Sequence, residues 1–243
     1  MLKFSLVEQI ALAIFLLSGI SFFLYHLILR LRIILKGKSN FNVDELPKRI
    51  IRVFDEVILH KKVASGDRKS AGILHALVMY GFIFFGLITI NHFGMAFGLP
   101  IFSESIRHTY FLIFGAPWAI LCTIGILGLA YRRFVIKPEA LGKFSSTSAL
   151  VSVFIITLMT TYLIDELHIL TGAAEKFNWW LHSGVIGGFL FLIPQSKHMH
   201  LVLSPFNIFL RPFEVPNHGA IPVSYTHLRA HETSLHLVCR LLL

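Results

Sequence analysis

Long runs of apolar residues recur at five places along the chain. Each run is about 20 residues long, the length that a helix needs to cross roughly 30 Å of hydrocarbon. The runs lack the alternation of apolar and polar residues that marks barrel strands, and only helices or closed barrels can cross lipid. The pattern predicts an all-α fold, an integral membrane bundle of five helices at approximately 6–29, 72–93, 111–131, 148–170 and 179–200.

The first apolar run follows Lys3 and so also resembles the start of a secretory signal peptide. The run is too long for the core of a signal peptide, and no cleavage site of small residues precedes Tyr25 and His26. We interpret it as the first membrane helix.

The composition supports a membrane location. Hydrophobic residues make up 55% of the 243 residues, and charged residues only 14%. A water-soluble domain of this size cannot bury that much apolar surface. We expect a multi-pass protein of the cytoplasmic (inner) membrane, in contact with membrane lipid.

Basic residues are distributed unequally among the loops. The segment between the first two helices contains eleven and the third loop four, whereas the second and fourth loops contain one each. Basic loops stay in the cytoplasm, so the N-terminus is predicted outside and the C-terminus in the cytoplasm. The net charge of +9 then reflects topology and contact with anionic lipid, and no nucleic-acid partner is expected. Within the first basic segment, RIIRVFDEVILHKKV predicts an amphipathic helix at the membrane interface.

The end of the sequence departs from this pattern. From about Val223 it resembles a translated sequencing adapter, so 223–243 is interpreted as a non-native tail. Residues 1–212 form the predicted membrane domain, and 213–222 begin a truncated cytoplasmic extension. Outside the tail the cysteine is Cys122, from which neither a disulfide nor an iron-sulfur cluster can be built. We expect the natural protein to continue in the cytoplasm.

The histidines most need an explanation, because an ionisable group within a membrane is costly and is by default a functional candidate. His182 and His200 are eighteen residues apart. Five helical turns would put them on one face, about 27 Å apart, if the helix continues through Pro194. His75 and His92 occupy the two ends of the second helix. For any one of these residues, a position at headgroup level is the alternative explanation.

Antiparallel packing of the second and fifth helices would place His75 opposite His200 and His92 opposite His182. Neutral imidazoles in an apolar bundle suit axial ligation of heme iron. The sequence therefore predicts two b-type hemes held by these four residues. Helical geometry puts His92 about 100° around the helix from His75, so the second pair needs a bend or another ligand. The substitutes are His168 and His108, and His198 competes with His200.

The segment HSGVIGGFLFLIPQSKHMHLVLSPFNIF contains, in order, His, an apolar stretch, Pro, Ser, a basic residue and His. It resembles the last helix of the gamma subunit of respiratory nitrate reductase. It is still more similar to the membrane domain of heterodisulfide reductase-related iron-sulfur oxidoreductases, and LHALVMYGF of the second helix adds to the likeness. The matching residues are Pro194, Ser196, Lys197, His198, His200, Ser204, Pro205 and Asn207.

This resemblance implies a five-helix cytochrome b domain with hemes between the second and fifth helices. The implied function is electron transfer between the quinone pool, menaquinone or ubiquinone, and a cytoplasmic iron-sulfur protein or domain. The chain would then be the heme-containing electron-transfer component of an oxidoreductase. A quinol releases two protons with its two electrons, so its site needs a proton acceptor. Arg107, His108, Asp165, Glu166 and His168 are available at the outer side, and His168 and Glu166 rank first as acceptors. The quinone-site candidates are Glu166, His168 and Arg107.

Two other classes stay open. A heme-free membrane anchor for a cytoplasmic enzyme fits the apolar pattern equally well but leaves the paired histidines unexplained. A transporter or channel is expected to show internal repeats or helices broken at corresponding positions, and the sequence shows neither. Motifs of soluble enzymes, such as a phosphate loop, Cys-x-x-Cys or His-Glu-x-x-His, are also absent, and no catalytic residue is assigned.

Overall fold

The computed structural model describes residues 2–36, 45–61, 69–142, 144–211 and 213. These residues contain helices and no strand, which confirms the all-α prediction. In chain order the α-helices are α1 Leu6–Leu35, α2 Leu46–Val53, α3 Lys69–Ala96, α4 Glu104–Tyr110, α5 Ala116–Tyr131, α6 Ser146–Glu166, α7 Ala173–Leu192 and α8 His200–Leu210. The tail from Val223 and, beyond Phe213, the extension 213–222 lie outside the described residues.

Four helices of the described chain are long and apolar enough to cross a membrane. They are Leu6–Leu35, Lys69–Ala96, Glu104–Ile136 and Ser146–Glu166, and each contains most of one predicted span. The third is continuous because short π-helical turns, Phe111–Gly115 and Arg132–Ile136, extend α4 and α5. These helices are consistent with the expected membrane protein, while its inner-membrane location and its orientation stay predictions.

The fifth predicted span differs from the observed structure. The sequence predicts one helix over 179–200, whereas α7 ends at Leu192 and α8 begins at His200. Pro194 explains the interruption, because proline has no N–H to donate and its ring clashes with the preceding turn. The Arg30 guanidinium donates a hydrogen bond to the Pro194 carbonyl oxygen at 2.6 Å. The five-turn spacing between His182 and His200 required an unbroken helix, so it does not apply.

Polar residues also distinguish α7 from the four longer helices. Its first turns contain Glu175, Lys176 and Asn178, and the helix has only 20 residues. It is not among the helices apolar enough to cross the membrane by composition. The count of five membrane spans therefore stays a prediction.

The described chain forms two compact units, the first comprising 2–22 and 69–191 and the second 23–61 and 192–213. The core of the first unit packs α5 against α6 and the turn before α5 through Phe111, Ala119, Cys122, Met159 and Tyr162. A second cluster joins α1, α3 and α7 through Leu12, Ala96 and Trp179.

In the second unit, α2 packs against the C-terminal end of α8. Arg49, only 2% exposed, donates to the carbonyl oxygens of Phe209 at 2.9 Å and Arg211 at 3.2 Å. Arg52 donates to the Arg211 carbonyl at 2.6 Å. A cation at a helix C-terminus is favourable because the last carbonyls lack helical partners. Burial, followed by repulsion from Arg211 and Arg49, lowers the pKa of Arg52.

The opposite face of α2 is apolar and exposed. Ile50, Ile51 and, in the following π-helical turn, Phe54 each expose more than half of their surface. A helix is thus present where the sequence predicts an amphipathic one, but its polar side faces protein and its apolar side faces outward. Its position at the membrane interface stays a prediction.

Glycines allow α3 and α5 to approach closely. A Cβ added at Gly81 would lie 2.9 Å from both Cβ and Sγ of Cys122. One added at Gly125 would lie 2.8 Å from the Leu74 carbonyl oxygen. Real Cβ atoms do not come this near to another heavy atom, so the helix spacing depends on these two residues having no side chain.

We expect Gly125→Ala to destabilise the protein, because the Leu74 carbonyl belongs to the backbone of α3 and cannot move without displacing the helix. A loss of about 1–3 kcal/mol is expected, measured as a lower melting temperature in detergent. Gly86→Ala in α3 is the matched control, since nothing lies within 4 Å of its Cβ position. A Gly125→Ala protein that melts with the wild type would contradict the close approach.

Candidate functional site

A cavity of about 150 Å³ lies within the first unit, between the N-terminal segment and α3, α4, α6 and α7. Its lining includes both histidines of the predicted outer heme pair, His92 and His182. It also includes the three predicted quinone-site residues, Arg107, Glu166 and His168. The structure thus brings five of the eight predicted site residues to one place, while their roles stay predictions.

His92 enters the cavity from α3 and contacts two residues of α7. Its Nε2 atom lies 2.9 Å from the Ser183 hydroxyl oxygen. Its ring stacks on the indole of Trp179, with centroids 4.7 Å apart and planes inclined by 15°. Although helical geometry puts His92 about 100° around the helix from His75, His92 still contacts α7.

His182 enters from α7 and is held by α6. Its Nδ1 atom lies 2.7 Å from the Thr161 hydroxyl oxygen. One turn earlier in α7, the Asn178 amide donates to the Thr161 backbone carbonyl at 2.9 Å. All three residues are buried, so their polar groups depend on one another for hydrogen bonds.

The two imidazoles lie side by side in the lining of the cavity. The ring centroids of His92 and His182 are 4.9 Å apart, and the planes are inclined by 53°. Within the described chain, no group of three or more His, Cys, Asp or Glu residues is arranged to hold a metal ion. The pair therefore offers two nitrogen donors, the number that heme iron takes from protein in bis-histidine ligation.

This donor set fits heme iron chemically, but the cavity of about 150 Å³ is smaller than the roughly 300–1,000 Å³ of pockets that enclose drug-sized ligands. The cavity must therefore widen for heme to bind, and the spacing of the two rings must change as well. A metal–imidazole bond is about 2 Å long, so two imidazoles on opposite sides of one ion have centroids about 6 Å apart. The observed 4.9 Å is shorter. Binding by both histidines at once requires the rings to separate, and His92 must release Ser183 if its Nε2 is to ligate.

Charged groups occupy the outer side of the same cavity. Arg107 of α4 donates to a Glu166 carboxylate oxygen at 2.9 Å and to a Glu104 oxygen at 3.2 Å. The side chains of Glu166, Arg107 and Glu104 are 9%, 20% and 86% exposed, respectively. The two ion pairs of Arg107 thus connect a buried carboxylate in the cavity with an exposed one at the surface. His168 lies in the turn after α6, where its backbone adopts a positive φ of 52°.

The remaining candidate ligands lie outside this cavity. His75 is half-buried in α3, within the first unit. His198 and His200 belong to the second unit, where His198 Nδ1 lies 3.1 Å from the Ser196 hydroxyl and His200 Nδ1 lies 2.9 Å from the Lys197 carbonyl. The pairing of His75 with His200 stays a prediction. His108 is exposed on α4 and does not line the cavity.

Sequence reasoning missed the residues that orient the two histidines, Thr161, Asn178 and Ser183. Asn178 and His182 are four residues apart and therefore share a helix face, which is a signal available in the sequence. Thr161 gives no comparable signal, because threonine is common in membrane helices and its partner lies on another helix.

Comparison with known proteins adds a relationship to this geometry. The chain is similar to "Probable iron-sulfur-binding oxidoreductase FadF" of Bacillus subtilis (strain 168). The identity is 30% over 222 residues, covering 79% of this chain and 31% of the relative. The chain therefore spans about a third of that protein's length. No protein-family model and no solved structure matches the chain.

The match supports the coarser part of the predicted resemblance, a similarity to a protein named as a probable iron-sulfur-binding oxidoreductase. The finer likeness to the nitrate reductase gamma subunit stays a prediction.

We expect Glu166→Gln to lower stability, because it removes the buried carboxylate that accepts a hydrogen bond from Arg107 at 2.9 Å, and the other hydrogen-bonded carboxylate, Glu104, is exposed. The loss should be about 1–3 kcal/mol, less than for a fully buried pair. Melting temperatures in detergent would be compared with Glu104→Gln, which should change little because that carboxylate is on the surface. The double variant Arg107→Gln/Glu166→Gln should recover part of the loss. Equal effects of Glu166→Gln and Glu104→Gln would contradict the importance of the inner ion pair.

Proposed function

We propose that this chain transfers electrons through b-type heme between a membrane quinone and an iron-sulfur module of the same oxidoreductase. The observation that carries the proposal is the pair of buried imidazoles, His92 and His182, which reach one cavity from two helices. The similarity to the B. subtilis protein, whose name is "Probable iron-sulfur-binding oxidoreductase FadF", supports an iron-sulfur partner.

The residues of the cavity divide into two functions in this proposal. His92 and His182 would hold the heme iron, and bound heme would supply one-electron chemistry at a potential set by its ligands and burial. Glu166 and His168 lie in the same cavity and would accept the protons that a quinol releases. Arg107 holds the Glu166 carboxylate in place through its 2.9 Å hydrogen bond.

Charged groups suit the acceptance of quinol protons because a proton taken up at Glu166 must then be released to solvent. Exposure increases from Glu166 through Arg107 to Glu104, so the outer wall of the cavity leads toward solvent. Arginine itself stays protonated. Its part is to fix the position of the inner carboxylate, and His168, at the end of α6, provides a second acceptor.

The first test is a dithionite-reduced minus oxidised visible spectrum of the purified chain supplied with heme, quantified as pyridine hemochrome. We expect a b-type band, and His182→Ala should lose one heme per chain because a buried nitrogen ligand is removed. His108→Ala is the matched control, since that histidine is exposed and lies outside the cavity. The absence of a b-type band from folded protein would contradict the heme proposal and favour the heme-free membrane anchor.

A second test addresses the proposed proton acceptor. Glu166→Gln should slow reduction of the bound heme by a soluble quinol by about 100-fold, the effect of losing a positioned general base. Heme content, measured on the same samples, separates this effect from unfolding. Glu139→Gln, at an exposed carboxylate outside the cavity, should retain the wild-type rate, and an unchanged rate for Glu166→Gln would exclude Glu166 as the acceptor.

A further inference from the structure

The Thr161 hydroxyl lies at the centre of the contact between α6 and α7. Its oxygen is 2.7 Å from the Thr157 carbonyl oxygen and 3.2 Å from the Leu158 carbonyl oxygen, both in its own helix. The same oxygen is 2.7 Å from His182 Nδ1 in α7. One hydroxyl thus has three polar neighbours, of which two can only accept a hydrogen bond.

A hydroxyl has one proton, so these neighbours restrict where it points. Threonine in a helix commonly donates to the carbonyl of residue i−4, and the 2.7 Å distance to Thr157 fits that bond. The oxygen then has only lone pairs to offer His182. Nδ1 of a neutral imidazole must in turn be the protonated nitrogen to bond with it. The Leu158 backbone carbonyl is a further acceptor for an N–H of His182, so the effect of the Thr161 hydroxyl has to be measured beside that contact.

The surroundings hold this arrangement in place. Asn178, one turn before His182, donates to the backbone carbonyl of the same threonine at 2.9 Å. Thr161, Asn178 and His182 are 4%, 5% and 9% exposed, so bulk water has little access to these bonds. Two contacts from one face of α7 therefore fix both the hydroxyl and the backbone of Thr161.

We propose that Thr161 is a positioning residue that selects the tautomer of His182, keeping the proton on Nδ1 and leaving the Nε2 lone pair available to a metal. The inference deepens the proposed heme function by naming which nitrogen ligates. Metal-ligating histidines generally donate their other N–H to a neighbouring acceptor, which fixes ring orientation and raises ligand basicity.

The two cavity histidines differ in this respect. Nδ1 of His182 is bonded, whereas on His92 it is Nε2 that lies 2.9 Å from a hydroxyl, that of Ser183. His182 is thus prepared to ligate through Nε2 as it stands. His92 can do so only after giving up Ser183, which makes His182 the first ligand of the pair.

The tautomer can be measured without heme, by nitrogen-15 NMR of the detergent-solubilised full chain with labelled histidine. The His182 signals are assigned by their loss in His182→Ala. We expect the Nδ1-protonated form in the wild type and in Thr161→Ser, which keeps the hydroxyl. Thr161→Val removes the hydroxyl at similar size and should shift His182 toward a mixture of tautomers. A wild-type His182 protonated on Nε2 would overturn the inference, and so would an unchanged tautomer in Thr161→Val.

Heme affinity provides the second measurement. Loss of such an outer contact typically costs 10–100-fold in metal affinity, so Thr161→Val should bind heme more weakly by that factor while Thr161→Ser is close to wild type. If the wild type shows the Nδ1 tautomer but binds no heme, the proposed function fails and the tautomer assignment stands. If heme binds but Thr161→Val matches the wild type in both tautomer and affinity, the role of Thr161 fails alone.

Discussion

Polar groups buried between helices must find their hydrogen-bond partners within the protein, because the surrounding apolar side chains offer none. In the first unit this requirement joins three helices. His92 of α3 contacts Ser183 of α7. Thr161 of α6 contacts Asn178 and His182, also of α7. Because each bond crosses between helices, a shift of one helix along another would leave buried polar groups without partners. An unpaired buried group costs more free energy than a formed hydrogen bond contributes to stability. The cavity keeps its shape for the same reason.

Apolar periodicity predicted the helices well because hydrocarbon thickness dictates the length of a spanning helix. The first four predicted spans lie almost wholly within observed helices, and the ends differ by several residues because polar residues extend the helices beyond the apolar run. The prediction of the fifth span was wrong at its C-terminal end, where α7 stops at Leu192. Pro194 was visible in the sequence, but whether a proline bends or ends a helix depends on contacts made elsewhere in the fold. Here Arg30, distant in sequence, donates to the Pro194 carbonyl just beyond the end of α7.

The candidate site was predictable in part. Histidine is rare enough in apolar segments to attract attention, and the outer-loop charges were few, so His92, His182, Arg107, Glu166 and His168 were all identified before their positions were known. Their grouping in one cavity required the packing of helices, which spacing along the chain does not give. The neighbours that orient the imidazoles are ordinary Thr, Ser and Asn residues, and their significance comes from contacts alone.

Arginine and lysine are equivalent as topological signals, but the second unit does not use them equivalently. Arg49 reaches two backbone carbonyls at the end of α8 through one guanidinium nitrogen and Glu45 through the other. The planar, forked geometry of arginine allows this, and a single ammonium group does not reproduce it. Lys48, the preceding residue, is exposed. Arginine can therefore replace lysine at position 48 without losing a contact, whereas lysine at position 49 would keep the positive charge of the loop but lose the forked contact with Glu45 and the end of α8.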